Sequence, residues 1–269
     1  MNQSTLGTAV ITGASTGIGA LYAERLAARG YDLLLVARNG ARLLELAARL
    51  QADTGRTVRS ISADLTDAQD LARIETLLRE DSSISMLVNN AGVGATAPLL
   101  ASDVGKMAQM IALNVTALTR LTYAAAPRFV ARGQGTIINI ASIVAIAPEV
   151  LNGVYGASKA FVVALSQSLQ HELGGQGVCV QAVLPGATAT DFWNVAGTPV
   201  EHLPQEIVMR ADAMVDAALA GLDQGELVTI PGLEDGAKYR AYEAARLAMH
   251  GELSTAIPAS RYRGRAAAP

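Results

Sequence analysis

Seven short runs of β-branched and aliphatic residues, separated by longer stretches of helical period, limit what this chain can fold into more than any other feature. The runs are TAVIT (8–12), DLLLVA (32–37), TVRSI (57–61), SMLVN (85–89), GTIINI (135–140), VCVQAVL (178–184) and ELVTI (226–230). Between them, stretches such as ALYAERLAARG (20–30) and LLELAARLQAD (43–53) set apolar residues three and four apart, with charges on the other face. That is the pattern of an amphipathic helix. A strand of nearly continuous Val, Ile and Leu is covered on both faces, and a helix between two such strands carries the chain back over the sheet. The order predicts an α/β fold: a doubly wound parallel sheet of about seven strands with helices on both faces.

With 269 residues, 51% of them hydrophobic, the chain can bury a sizeable core as one large domain. No repeat or linker splits residues 1–269. Lys and Arg total 21 against 24 Asp and Glu, a net charge of −3, so no basic excess points to nucleic acid or an anionic membrane. The start, MNQSTLGTAVITG, has no basic leader, and no apolar run approaches a membrane span. A lone cysteine, Cys179 in GVCVQAVLP, reads as a buried strand residue, and a cytoplasmic protein is the expectation. His171, His202 and His250 lack ligand spacing, so no metal site is expected. Two regions interrupt the alternation. PGATATDFWNVAGTPVEHLPQ (185–205) has Pro185, Pro199 and Pro204 around Phe192 and Trp193, and reads as a substrate lid over about 186–210. A tail over about 251–269 ends in RYRGRAAAP.

TGASTGIG (12–19) joins the first strand to the first helix. In that place Gly13, Gly17 and Gly19 allow a tight turn, close approach of a pyrophosphate to backbone N–H groups, and tight helix-on-strand packing. Ser15, Thr16 and Ile18 complete the dinucleotide loop. The second strand ends in Ala37 and Arg38, where an NAD site usually has a carboxylate for the ribose 2′-OH. A guanidinium there suits a 2′-phosphate, so NADP(H) is the preferred cofactor, with NAD(H) as the alternative. Arg42, one turn on, reads as a second phosphate contact or as part of an exposed helix face, the latter being preferred.

NGVYGASKAF (152–161) sets Tyr155 and Lys159 four positions apart, on one helix face. An ammonium beside a phenol favours the phenolate, and this pair predicts a tunable acid/base. Apolar stretches at 93–98 and 143–151, with Phe192 and Trp193, are the expected substrate walls; within them Val93, Ile143, Val144 and Leu151 are singled out. They favour a hydrophobic or neutral compound over a polyanion.

These motifs together make the chain resemble the short-chain dehydrogenase/reductase family over almost its whole length. Thr12, Gly13, Gly17 and Gly19 fit the family's T-G-x-x-x-G-x-G; Asn89, Asn90, Ala91 and Gly92 fit N-N-A-G; Tyr155 and Lys159 fit Y-x-x-x-K. The resemblance implies a Rossmann-like domain that reduces carbonyls or oxidises alcohols with a nicotinamide cofactor. It further implies that Asp64 and Leu65 meet the adenine and that Asn114, Ser142, Tyr155 and Lys159 are the catalytic set. Pro185, Gly186, Thr188 and Thr190 would lie near the nicotinamide carboxamide. Lys159 would also hold the ribose hydroxyls, and Asn114 a water for proton relay. Ser15 stands where many NADP-preferring relatives have a basic residue, leaving Arg38 to carry the preference. Family members pair through the helices here at about 103–131 and 152–174, implying a homodimer or homotetramer. The alternatives are a dehydratase or epimerase of the same fold, or a non-catalytic NADP-binding sensor or scaffold.

Overall fold

A computed structural model describes residues 6–263. The chain divides into two compact units, the second beginning at Leu233. In the first unit, strands and helices alternate as β1 (Thr8–Thr12), α1 (Gly17–Ala28), β2 (Asp32–Ala37), α2 (Gly40–Thr54), β3 (Val58–Ser62), α3 (Ala68–Glu80) and β4 (Ile84–Asn89). Then come α4 (Val104–Ile111), α5 (Leu118–Arg132), β5 (Gly135–Ile140), α6 (Gly153–Leu173) and β6 (Val178–Val183). The unit closes with β7 (Thr188–Ala189), α7 (Phe192–Ala196), β8 (Met209–Arg210), α8 (Ala211–Asp223) and β9 (Val228–Thr229). The second unit holds α9 (Gly236–Ala248) and short 3₁₀ turns at His250–Glu252 and Ser260–Tyr262.

Seven strands form one parallel sheet in the order β3-β2-β1-β4-β5-β6-β9. The expected architecture is what the chain adopts. Successive side chains on a strand point to opposite faces, and the core divides accordingly. Ile11, Leu33 and Leu35 pack with Tyr22, Leu26, Leu43 and Met214 on one face. Val10, Leu34 and Val36 pack with Leu71, Ile74, Leu121 and Phe129 on the other. Full burial of each large aliphatic or aromatic side chain favours the fold by about 1.5–3 kcal/mol, so the sheet is held mainly by these two layers.

Strand order reverses between β1 and β4, which opens a crevice beyond the carboxyl ends of the strands. A buried amide pair braces this point: Asn89 faces Asn139 in register, and its Nδ2 donates to Asn139 Oδ1 (2.9 Å) and Thr122 Oγ1 (3.1 Å). Asn139 Nδ2 in turn donates to Ser166 Oγ (2.9 Å), tying β4 and β5 to α5 and α6.

Several boundaries differ from the sequence-based expectation. β3 runs one residue later than 57–61, and in β9 only Val228 and Thr229 pair with β6. The long helix expected at 103–131 runs without a break from Val104 to Arg132, with a π-helical turn, Ala112–Ala117, between α4 and α5. The lid contains a small ladder, β7 on β8, with α7 between them. The second compact unit starts well before the expected tail, at Leu233, and residues 264–269 of that tail lie outside the described residues. Among the described residues, no helix is long and apolar enough to cross a membrane.

Candidate active site

The crevice is a cleft of about 730 Å³ running from the glycine loop to the lid. Gly13 (φ +65°) and Gly17 (φ +55°) turn the chain at its start, in a region that residues with a side chain rarely adopt. A Cβ on Gly13 would lie 2.8 Å from Asn90 Nδ2, and one on Gly17 3.2 Å from Thr190 Cγ2. Gly19 is buried in α1 and is not among the residues that line the cleft; a Cβ there would sit 2.5 Å from Asn90 Nδ2, in keeping with the tight helix packing expected of the glycine set. Thr12 Oγ1 accepts from the N–H groups of Asn90 and Ala91 (both 3.0 Å), and Asn90 Nδ2 donates to Thr12 O (2.8 Å). These bonds lock the glycine loop to the turn after β4.

Arg38 and Arg42 both line the far end of the cleft, and neither side chain has a hydrogen bond or ion pair among the described residues. For Arg42 the sequence preferred an exposed helix face over a second phosphate contact, and the structure places it at the cleft. Asn39 caps α2 by accepting from Arg42 N (3.1 Å), and this brings the two guanidinium groups to the same wall. Asp64 lies there too, its carboxyl held below the usual range by hydrogen bonds from Thr66 and by the charge of Arg38.

Tyr155 enters through the start of α6, where Asn152 accepts from Val154 N (2.9 Å) and Tyr155 N (3.4 Å). The helical spacing then sets Lys159 on the same face. Its Nζ donates to Ile140 O (2.8 Å), the last carbonyl of β5, and lies 5.9 Å from the centroid of the Tyr155 ring. Ser142, two residues beyond β5, hydrogen-bonds Tyr155. All three side chains are buried and all line the cleft.

Their electrostatics correct a second expectation. Burial pushes the Tyr155 phenol up to about 12, against a smaller pull from the Ser142 hydrogen bond. Burial also brings Lys159 down to about 8. Taking both groups out of water favours their neutral forms, and this outweighs the attraction between ammonium and phenolate. At neutral pH the pair is a phenol and an ammonium.

Asn114 is buried in the π-helical turn and does not itself line the cleft. Its Oδ1 accepts from Val93 N (3.0 Å), while its Nδ2 donates to Val93 O (2.8 Å) and Ser158 Oγ (3.2 Å). A Cβ on Gly92 would lie 3.1 Å from Asn114 Oδ1 and 3.5 Å from Lys159 Nζ, so the two residues flank the same glycine.

Beyond Tyr155 the cleft is apolar, lined by Val93, Ile143, Val144, Leu151, Phe192 and Trp193 as expected. Phe192 packs 5.8 Å from the Tyr155 ring, centroid to centroid, and Trp193 donates from Nε1 to Thr188 O (3.0 Å). Ser15, Thr16, Ile18, Leu65, Ala91, Gly92, Pro185, Gly186 and Thr188 also line the cleft. Val150, from the expected wall, and Asp191, Val195, Leu203 and Ile207, from the expected lid, line it too without having been singled out, and Leu113 lies outside every segment the sequence marked. Irregular lid and loop segments carry no periodicity that would have marked most of these.

The chain matches the short chain dehydrogenase family over residues 7–199. Among solved structures it is similar to a short-chain dehydrogenase from Sphingobium yanoikuyae in complex with NADPH, at 50% identity and a TM-score of 0.93, covering 96% of this chain and 100% of that one. It is also similar to the bulky-bulky ketone specific alcohol dehydrogenase from Comamonas testosteroni (47% identity, TM-score 0.88, covering 95% of this chain and 98% of that one). Among curated proteins, a very-long-chain 3-oxoacyl-CoA reductase of Danio rerio is 34% identical over 191 residues, 70% of this chain. That match spans about 60% of the relative's own length.

Proposed function

This chain belongs to the short-chain dehydrogenase family, and from that premise we propose that it is an NADPH-dependent reductase of bulky, apolar ketones and aldehydes. In reverse it acts as an alcohol dehydrogenase. The observation that carries this reading is the place of Tyr155: its buried ring joins Ser142 and Lys159 where the glycine-lined half of the cleft meets the apolar half.

The residues present fit a nicotinamide dinucleotide. Positive-φ glycines leave the backbone of the loop bare where a side chain would block it, which suits a pyrophosphate. Arg38 and Arg42 offer unpaired guanidinium groups at the opposite end, suited to a 2′-phosphate. The NADPH complex of the Sphingobium relative is consistent with that choice. When bound, the nicotinamide supplies the hydride.

The rest of the chemistry falls to this chain's own side chains. Tyr155, protonated at neutral pH, gives its proton to the carbonyl oxygen as negative charge develops there. Ser142 polarises the same oxygen by hydrogen bonding, an interaction that strengthens as the oxygen becomes anionic. Lys159, anchored on Ile140 O, supplies positive charge beside the phenol and, by resemblance, would hold the ribose hydroxyls of a bound cofactor. Asn114 holds Val93 in place beside them and, by resemblance, would hold a water for proton relay. Apart from Lys159 and the two arginines, the cleft lining has no Lys or Arg, and the only charged side chain in the lid part is Asp191. Neutral apolar ketones fit this end better than polyanionic thioesters. By resemblance, the protein works as a homo-oligomer.

A panel of aryl and branched alkyl ketones and their alcohols, followed by absorbance of the reduced nicotinamide with NADPH and NADH, tests the proposal. Turnover of bulky neutral ketones with NADPH is expected. NADPH binding without turnover of any carbonyl or alcohol in the panel would overturn it in favour of a sensor or scaffold.

A further inference from the structure

We propose, on the reading of the chain as a reductase, that Ser158 is a positioning residue for Tyr155 and acts through Asn114. Ser158 does not itself line the cleft. It is buried in the interior of α6, one residue before Lys159. Serine is a weaker helix former than alanine, and a buried hydroxyl is costly unless it is hydrogen-bonded. Here the hydroxyl is used in both senses. It donates to Tyr155 O (2.8 Å), one turn back on the helix, and accepts from Asn114 Nδ2 (3.2 Å) on the π-helical turn.

The second of these bonds completes Asn114. A side-chain amide has two N–H donors and one carbonyl acceptor. One N–H goes to Val93 O and the other to Ser158, while Oδ1 accepts from Val93 N. Without the Ser158 hydroxyl, one N–H would be stranded on a residue that is only 1% exposed. Val93 lines the cleft and packs against the apolar cluster of Met110, Val144 and Tyr155. Ser158, Asn114 and Val93 therefore form a circuit that starts at the backbone of Tyr155 and returns to the cluster that holds its ring. Such a circuit sets the phenol against the cleft wall, where a misplacement of about 1 Å can cost about 10²-fold in rate.

A second serine of α6 supplies the comparison. Ser166, about two turns further on, is also buried; it donates to Val162 O (2.7 Å) and accepts from Asn139 Nδ2 (2.9 Å). Each serine ties the helix to a buried asparagine. They differ in what lies beyond: Asn114 is bonded to Val93, which lines the cleft, whereas Asn139 is bonded to Asn89, which does not.

The test compares Ser158→Ala with Ser166→Ala. Each removes one hydroxyl from the same helix and strands one asparagine N–H, so both are expected to lower the melting temperature. Only Ser158→Ala should lower kcat for ketone reduction, by about tenfold, with KM for NADPH unchanged in both. In asparagine-labelled protein followed by NMR, the Asn114 side-chain amide should exchange with solvent at least about tenfold faster in Ser158→Ala than in the native chain, whatever the turnover. An equal loss of kcat in the two variants, or none in Ser158→Ala, would overturn the positioning role and leave the reductase reading standing. Unchanged exchange at Asn114 would overturn the tie through that residue. Absence of ketone turnover by the native chain would overturn both readings.

Discussion

Lys159 Nζ lies 5.9 Å from the centroid of the Tyr155 ring and is held there by the carbonyl of Ile140 at 2.8 Å. One turn of α6 makes the pair, but the end of β5 fixes it against the cleft. Proton transfer through Tyr155 should therefore be separable from cofactor binding. Tyr155→Phe keeps the ring packed on Phe192 and removes only the hydroxyl. Carbonyl reduction is expected to fall by about 10²–10⁴-fold, the usual contribution of a positioned acid, with NADPH affinity by fluorescence titration unchanged. Retained turnover would remove Tyr155 from the mechanism.

A phenol raised to about 12 has a direction built into its pH dependence. Reduction uses the protonated form, which prevails at every pH below that value. Oxidation of an alcohol uses the phenolate, whose fraction rises about tenfold per pH unit below the pKa. Initial rates of alcohol oxidation should climb steadily through the alkaline range while reduction does not. An oxidation rate that ignores pH would contradict this role.

Buried Lys159 leaves a mark on stability as well. Its amine is lowered from 10.5 to about 8, so between these values the unfolded chain binds a proton that the folded chain does not. Stability due to this group is present above the unfolded pKa and is lost as pH falls through the folded one. Relative to Lys159→Met, the native chain should gain up to about 3 kcal/mol on going from neutral pH to above 10.5, as read by denaturant unfolding at each pH. A constant difference between the two proteins would refute the assignment.

Arg38 should govern the choice of cofactor. A charge-assisted hydrogen bond contributes about 1.5–3 kcal/mol, so Arg38→Ala is expected to weaken NADPH binding by about ten- to a hundredfold and NADH binding hardly at all. Equal losses for both cofactors would place the selectivity elsewhere, with Arg42 the next candidate.

Gly94 lies where a side chain would collide with the Phe192 ring, and a Cβ there would come within 2.9 Å of Cε2. Phe192 would then have to shift, and it packs against both Tyr155 and Trp193. Gly94→Ala is therefore expected to change KM and the ranking among ketones of different bulk, with cofactor affinity and melting temperature nearly unchanged. Unaltered substrate ranking would show that this ring does not shape the pocket.

By itself the sequence determined the fold class, because continuous aliphatic runs alternating with amphipathic helices have few ways to bury both faces of a sheet. It also determined the glycine turn and the Tyr155–Lys159 spacing, since both depend on residues close together in the chain. The cleft's other members were not legible in this way. Leu203, Ile207 and Val195 reach it from an irregular lid, and only the fold chose between the two readings of Arg42 by bringing it to the cleft. Only the tertiary structure decided which way the pKa values of Tyr155 and Lys159 move. Spacing puts an ammonium beside a phenol in any solvated helix, but the sheet and lid take both out of water, and desolvation then outweighs their attraction.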